Sequence, residues 1–386
     1  MAKRMKHKIY FSVCGEGYGH SSRDMAIAKA LEDAGAQVLM GGYGYVLDRM
    51  KKSFKTVEIK REFEMTGNNG SFDMKATILK SSKPALGFSK IVAEEKKNMG
   101  VFGATCAVAD GRSAAILAAF QIGIPCVVIA NQTSLESFFM KDNPVMRIIG
   151  KNAEFSLSAG ISIADVVLIP DFPPPDTVCL GTLGWMKHIK KKEIFTGPVV
   201  FSEFMKPGKG GAPDITRPFV LTILGGHAFR LPIFEGILEI APKFPKVTFL
   251  IFTKFKSDKI PKNVVVREFA DDISEYMRAA ELIITQAGHS TAMEILALGK
   301  PALIIPDKGQ AEQGSNAERM KALGVAETLD YSHLGAQNLF RKISMLLRGK
   351  KYKENAAKYS KIARKMNGAK KAAEIILEYS ERVQKY

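Results

Sequence analysis

Cysteine is scarce. The chain has four in 386 residues (Cys14, Cys106, Cys126 and Cys179), with no C-x-x-C pair among them. They sit mostly in apolar runs and read as buried thiols in a reducing compartment, not as disulfides or metal ligands. A long hydrophobic run is missing too. The longest apolar region, Ser113–Ala130, is interrupted by Gln121, Gly123 and Pro125 and reads as a helix followed by a strand, not a membrane span. The opening MAKRMKHKIYFSV is basic, but its apolar stretch is too short for a signal peptide, so a cytoplasmic protein is expected. There is no D-x-D, no metal-ligand spacing, no low-complexity tract and no short repeat; neither a metal nor a cofactor is expected. Acidic residues are outnumbered, 39 against 56 Lys and Arg, giving a net charge of +17. That balance implies an anionic partner: nucleic acid, a membrane surface or a phosphorylated substrate. Solvated helix faces account for part of it. No RNP-like or helix-turn-helix signature supports a nucleic-acid partner, and none is expected.

What the chain does have is apolar material for two cores, with 46% hydrophobic residues in a length that is large for one. HKIYFSVCGEGYGH reads as a strand running into a glycine-rich turn, SSRDMAIAKALEDAG as a helix capped by Ser21 or Ser22, and AQVLMGG as the next strand. The glycines are spaced G-x-G-x-G-H (Gly15, Gly17, Gly19, His20), and the second strand ends in Gly41-Gly42 where a dinucleotide site needs a carboxylate. The spacing therefore excludes a dinucleotide fingerprint. Phe63–Ser82 reads as a long polar loop, and TCAVADG, SAAILAAFQIG and PCVVIANQTS as strand, helix, strand. Asp110 ends its strand on the crevice side shared with His20, where it can orient a histidine or cap the helix that starts at Ser113. Between Leu135 and Phe155, Phe and Met residues alternate with Lys141, Arg147 and Lys151. That pattern suits either a core helix or an interfacial segment. DFPPPD (Asp171–Asp176) reads as a rigid connector, and the glycine- and proline-bearing FTGPVV places a domain boundary near residue 198.

The second half repeats the theme. RPFVLTILGGHAFRLPIFEGILEIA reads as strand, glycine turn and helix. ELIIT is a short strand, Gly288 allows a turn, a helix begins near Ser290 and Thr291 and stops at Gly299, and Pro301 opens another strand ending in a polar loop, Asp307–Gln313. A helix N-terminus at a strand end suits a phosphate or pyrophosphate. Glu294 shares a face with Thr291, three residues before it. A carboxylate there is unsuited to phosphate but can accept two hydrogen bonds from a vicinal diol such as a ribose. YKENAAKYSKIARKMNGAKKAAEIILEY is helical and basic, with a break at Gly368.

These motifs in order carry a resemblance. Gly288, Thr291 and Glu294, then Gly299, Pro301 and Pro306 (G-x-P-x-x-x-x-P), then Glu312, Gln313, Asn316 and Ala317 (E-Q-x-x-N-A) resemble the donor-site signature of GT-B glycosyltransferases that use a sugar nucleotide. The stretch is similar both to the MurG-like enzymes and to the UDP-glucuronosyl and glucosyltransferases, departing from both at Gln286 and His289. The resemblance implies an α/β fold of two Rossmann-like domains facing each other across a cleft, residues 1–198 for the acceptor and 199–386 for the donor. The terminal helix is expected to return to the first domain. For donor binding it implies Gly225, Gly226, His227 and Ala228 at the turn, Phe269 at the base, and Gly288, His289, Ser290 and Thr291 around phosphate. Glu294 would hold the ribose, and Glu312 with Gln313 the sugar. On the acceptor side it implies Gly17, Gly19, Asn131 and Gln132. His20 is implied as general base with Asp110 behind it; an acceptor or pyrophosphate contact and a helix-capping role for His20 stay open. The expected reaction is inverting transfer of a hexosyl group from a UDP-sugar to an acceptor hydroxyl. A lipid or lipid-linked acceptor is favoured, with peripheral contact at the inner, anionic face of the cell membrane. The alternatives are a UDP-sugar 2-epimerase of the same fold and, more remotely, a nucleic-acid-binding protein.

Overall fold

A computed structural model describes residues 7–16, 18–62, 67–68, 71–72, 87–131, 134–139, 143–179, 186, 189, 192–206, 214–225, 227–268, 270 and 272–382. Along the first half run β1 (Lys8–Val13), α1 (Tyr18–Asp33), β2 (Gln37–Gly42), α2 (Gly44–Met50), β3 (Thr56–Glu58) and the two-residue partners β4 (Gly67–Asn68) and β5 (Ser71–Phe72). Then come α3 (Phe88–Phe102), β6 (Cys106–Asp110), α4 (Ser113–Ile122), β7 (Cys126–Ile129), α5 (Pro144–Ile161), β8 (Val166–Ile169) and β9 (Glu193–Phe195). Except for β4 and β5, which pair with each other, these strands form one parallel sheet in the order β3-β2-β1-β6-β7-β8-β9. Helices cover both faces, so β1 buries nearly every side chain, and Ile9, Phe11 and Val13 are fully inaccessible. The polar members of that strand are satisfied internally. Glu95 of α3 accepts from Tyr10 Oη at 2.6 Å, Ser12 Oγ at 2.7 Å and Arg112 Nη2 at 2.9 Å.

The second half begins with a short helix α6 (Ser202–Met205) and continues through β10 (Phe219–Gly225), α7 (Leu231–Ile240), β11 (Thr248–Thr253), β12 (Val264–Arg267), α8 (Ser274–Ala279) and β13 (Leu282–Thr285). It ends with α9 (His289–Leu298), β14 (Ala302–Ile304), α10 (Ala311–Ala322), β15 (Ala326–Thr328), α11 (Ala336–Arg348), α12 (Lys350–Met366) and α13 (Gly368–Arg382). Its strands form a second parallel sheet, β12-β11-β10-β13-β14-β15. Both sheets reverse their winding beside their first strand, between β1 and β6 and between β10 and β13. Ligands of open parallel sheets bind outside the strand ends at such reversals.

The chain crosses between the halves more than once. Phe172 and Val178 pack into the second core, Tyr359 Oη donates to Asp176 Oδ1 at 2.9 Å, and Arg319 Nε donates to Thr177 O at 2.9 Å. The proline-rich segment therefore lies along the second half, not free between the two. At the other end, α12 packs Ala356, Tyr359 and Ala363 into the second core. Asn367 turns the chain with a left-handed φ of 48°, and α13 returns to the first core through Ala369, Ala372, Ala373, Ile376 and Tyr379. Gly368 marks the crossing. A Cβ there would lie 2.4 Å from the Pro198 carbonyl oxygen and 2.5 Å from that of Gly197, so only glycine lets the last helix pass the connector.

Candidate active site

The two sheet reversals face each other through the first turns of α1 and α9. Ser290 Oγ donates to the Gly19 carbonyl oxygen at 2.9 Å. A Cβ on Gly19 would stand 3.1 Å from that hydroxyl, tighter than ordinary packing, so glycine is what lets the helices approach. α1 starts at Tyr18, which corrects the expected cap: Ser21 and Ser22 lie inside the helix, and both hydroxyls accept from Arg49 Nη1, at 3.3 and 2.8 Å.

His20 thus lies in the first helical turn. Its Nδ1 is 2.8 Å from Asp110 Oδ1 at the end of β6, with the His20 side chain 30% exposed and Asp110 sealed at 1%. Asp110 does not cap α4; the amides of Ser113 and Ala114 donate instead to Glu62, each at 2.9 Å. Arg23, three residues after His20, grips both oxygens of Asp110 (Nε to Oδ2 and Nη2 to Oδ1, 2.5 Å each) and donates through Nη1 to Asn131 Oδ1. Burial opposes ionisation of Asp110, but the charge of Arg23, with the hydrogen bonds from His20 and Arg23, outweighs it and holds the carboxyl well below its usual range. Asp24, the next residue, is wholly buried beside Asp110. Burial, and then the Asp110 charge, push its carboxyl well above the usual range.

On the facing side, Glu312 in the first turn of α10 reaches across: Asn131 Nδ2 donates to its Oε1 at 3.4 Å. His20, Asp110, Arg23, Asn131 and Glu312 therefore form one polar chain spanning the crevice. Glu294 follows one turn into α9. It is half-buried, and no hydrogen bond reaches it among the described residues. Burial pushes its carboxyl up to about 7, only partly offset by the charge of Arg49 from the opposite half. Gly288 and its neighbours supply the N-terminus of α9, with Gly288 exposed and Thr291 half-buried. Gln286, just before it, buries an amide nitrogen with no partner among the described residues. Gly225 ends β10 with a φ of 63°, and His227 and Ala228 are exposed beyond it.

Three donor-side residues have their side chains engaged within the protein. The side chain of His289 is buried, with Nε2 3.0 Å from Asp171 Oδ2, so of its groups the backbone amide is the one left for a ligand. Gln313 turns back on the end of β14, accepting from the Asp307 amide at 2.8 Å and donating to Asp307 Oδ2 at 3.2 Å. Arg230 is clamped on the same Asp307, at 2.9 and 2.5 Å. Gly17, Gly226, Phe269 and Gln132 lie outside the described residues. Asp171, Cys179 and His289 place three possible metal-ligand atoms within 4.8 Å of one another. Asp171, however, also accepts from the amides of Phe172 (2.7 Å), Val178 (3.0 Å) and Cys179 (2.8 Å), which makes the cluster a hydrogen-bonded brace between the halves.

Arg23, Arg49 and Asp171 are the residues that motif reading missed. Only Arg23 carried a sequence signal, its three-residue spacing from His20 on a helix.

Residues 245–375 match the glycosyltransferase family 28 C-terminal domain. An uncharacterized glycosyltransferase of Methanosarcina mazei is 31% identical over 379 residues, covering 96% of this chain and 97% of that protein. The UDP-N-acetylglucosamine–N-acetylmuramyl-(pentapeptide) pyrophosphoryl-undecaprenol N-acetylglucosamine transferase of Trichlorobacter lovleyi is 30% identical over 174 residues, 40% of this chain and 46% of that enzyme. The crystal structure of MurG from Acinetobacter baumannii superposes with a TM-score of 0.61 at 19% identity, covering 97% of this chain and all of that one, which bears on the fold.

Proposed function

The chain belongs to the MurG-like glycosyltransferases of GT-B fold, and from that premise we propose that it transfers a hexosyl group, with inversion, from a UDP-sugar to a hydroxyl of a lipid or lipid-linked acceptor. The observation that carries this reading is the polar chain across the crevice, which sets His20 of one half opposite Glu312 of the other. With Nδ1 turned to Asp110, the ring leaves Nε2 for the acceptor. Nε2 takes the hydroxyl proton as the acceptor oxygen attacks the anomeric carbon. The bond from that carbon to the diphosphate oxygen breaks, and the pair of electrons leaves with UDP. The amides at the start of α9 receive the departing negative charge, since a helix N-terminus presents free N–H groups and a positive dipole end. Glu294 takes the ribose diol and Glu312 the sugar hydroxyls. We place the division between acceptor and donor units near residue 198.

The choice of UDP and of a lipid acceptor follows the substrates in the name of the Trichlorobacter lovleyi relative and the basic balance of this chain. α5 adds an observation. Val145, Ile148 and Phe155 share a face at helical spacing and are 66%, 59% and 61% exposed, with exposed Arg147 and Lys151 on the same helix. Apolar anchors among basic residues suit the surface of an anionic membrane. No helix among the described residues is long and apolar enough to cross one. The four cysteines are all free and buried, in keeping with a cytoplasmic setting.

The test is a product screen by mass spectrometry: purified protein, several UDP-sugars and a cell lipid extract. A lipid heavier by one hexosyl residue, lost in His20→Ala, supports the reading. An isomerised UDP-sugar formed without any acceptor would replace it with epimerase chemistry.

A further inference from the structure

Arg23 is 4% exposed at the centre of the crevice, and its guanidinium is held from three sides. Nε and Nη2 take the two oxygens of Asp110, Nη1 takes Asn131, and Nη2 also stands 3.1 Å from His20 Nδ1. A two-toothed guanidinium–carboxylate contact is strong and fixes direction as well as distance. The carboxylate behind the His20 ring is therefore already neutralised. An unneutralised carboxylate at 2.8 Å would draw a proton onto the imidazole before an acceptor arrived, and a protonated ring cannot act as a base.

We propose that Arg23 is a positioning residue for the base: it keeps Asp110 an acceptor, fixes the His20 ring with Nε2 open to the crevice, and by its charge offsets the pull of Asp110 on the proton. The inference rests on the reading of His20 as general base. The other groups facing this cluster do not supply the same positive charge. Cys14 at the end of β1 is a thiol pushed up to about 11, chiefly by burial, Asp24 on α1 is a buried carboxyl pushed well above its usual range, and Glu312 from α10 is an acid across the crevice.

The test is an NMR pH titration of the histidine rings in the full-length protein. The chain has six histidines, and His20 is assigned by its loss in His20→Asn. Arg23→Met is expected to move the His20 midpoint up by about one to two pH units relative to wild type, the size of shift that a charge within about 4–6 Å produces. Arg23→Lys is expected to bring it at least halfway back. An unchanged midpoint in a folded Arg23→Met protein, or no return with lysine, overturns the proposal, because a merely structural arginine alters stability and not this midpoint. Should Arg23→Met fail to fold, Arg23→Gln removes the charge while keeping a hydrogen-bonding side chain, and the same upward shift is required. The two claims can fail separately: His20→Asn that transfers sugar at the wild-type rate would remove the base assignment and leave the titration result standing.

Discussion

Replacing Glu294 by Gln should make the empty protein more stable and the enzyme worse. Burial raises this carboxyl from 4.5 to about 7 in the folded chain, with no compensating hydrogen bond among the described residues. An acid whose folded value lies above its unfolded one favours folding while it is protonated. Its stabilising contribution is fully present below pH 4.5 and is lost as pH rises through about 7. The gap of about 2.5 units corresponds to roughly 3 kcal/mol at pH 8, an upper bound because the side chain is only half-buried. Glutamine keeps the shape and removes the charge. Thermal or urea unfolding should therefore show Glu294→Gln more stable than wild type at pH 8 and nearly equal to it at pH 4.5. Donor binding should move the other way. A carboxylate accepting from a ribose diol makes charge-assisted hydrogen bonds of roughly 1.5–3 kcal/mol, so calorimetry should show UDP-sugar affinity lowered about 10- to 150-fold. In wild type the affinity should climb about tenfold between pH 6 and 8 as the carboxyl ionises, and in the variant it should stay flat. A Glu294→Gln protein that binds the donor like wild type, or that is destabilised at pH 8, would refute this role for the residue.

His20→Ala should leave donor affinity intact and lower turnover by roughly 10²- to 10⁴-fold, the usual contribution of a general base, as read by UDP release in the presence of acceptor. Ile376→Ala should cost roughly 2–5 kcal/mol in urea unfolding, because this fully buried side chain of α13 fills the first core although the chain has already passed through the second. Ile148→Asp with Phe155→Asp should abolish cosedimentation with anionic vesicles while leaving the fold unchanged by circular dichroism; retention on vesicles would locate membrane contact away from α5.

The alternation of strand and helix was legible because apolar runs, N-terminal polar residues and glycine stops recur in both halves. The placement of His20, Asp110, Glu294 and the start of α9 beside the crevice was legible for a related reason. Each lies at or just beyond the carboxyl end of a strand that flanks a sheet reversal, and there sequence position nearly determines place. What was not legible is pairing between distant segments. Nothing local marks Asp171 as the partner of His289, 118 residues away, so the buried side-chain brace could not be read from the sequence. Arg49 meets Ser21, Ser22 and the field of Glu294 only through the packing of α2 against the crevice. Arg23 was obscured by a shift of one turn. A helix capped at Ser21 or Ser22 leaves Arg23 beside the cap, whereas a helix beginning at Tyr18 sets it under His20.

The most direct test is a crystal structure with UDP bound. The diphosphate should lie against the amides of residues 288–291, and the ribose hydroxyls should stand within about 3.2 Å of the Glu294 carboxylate. A nucleotide seated on the first half, or a ribose with Glu294 turned away from it, would contradict the assignment of the two sides of the crevice.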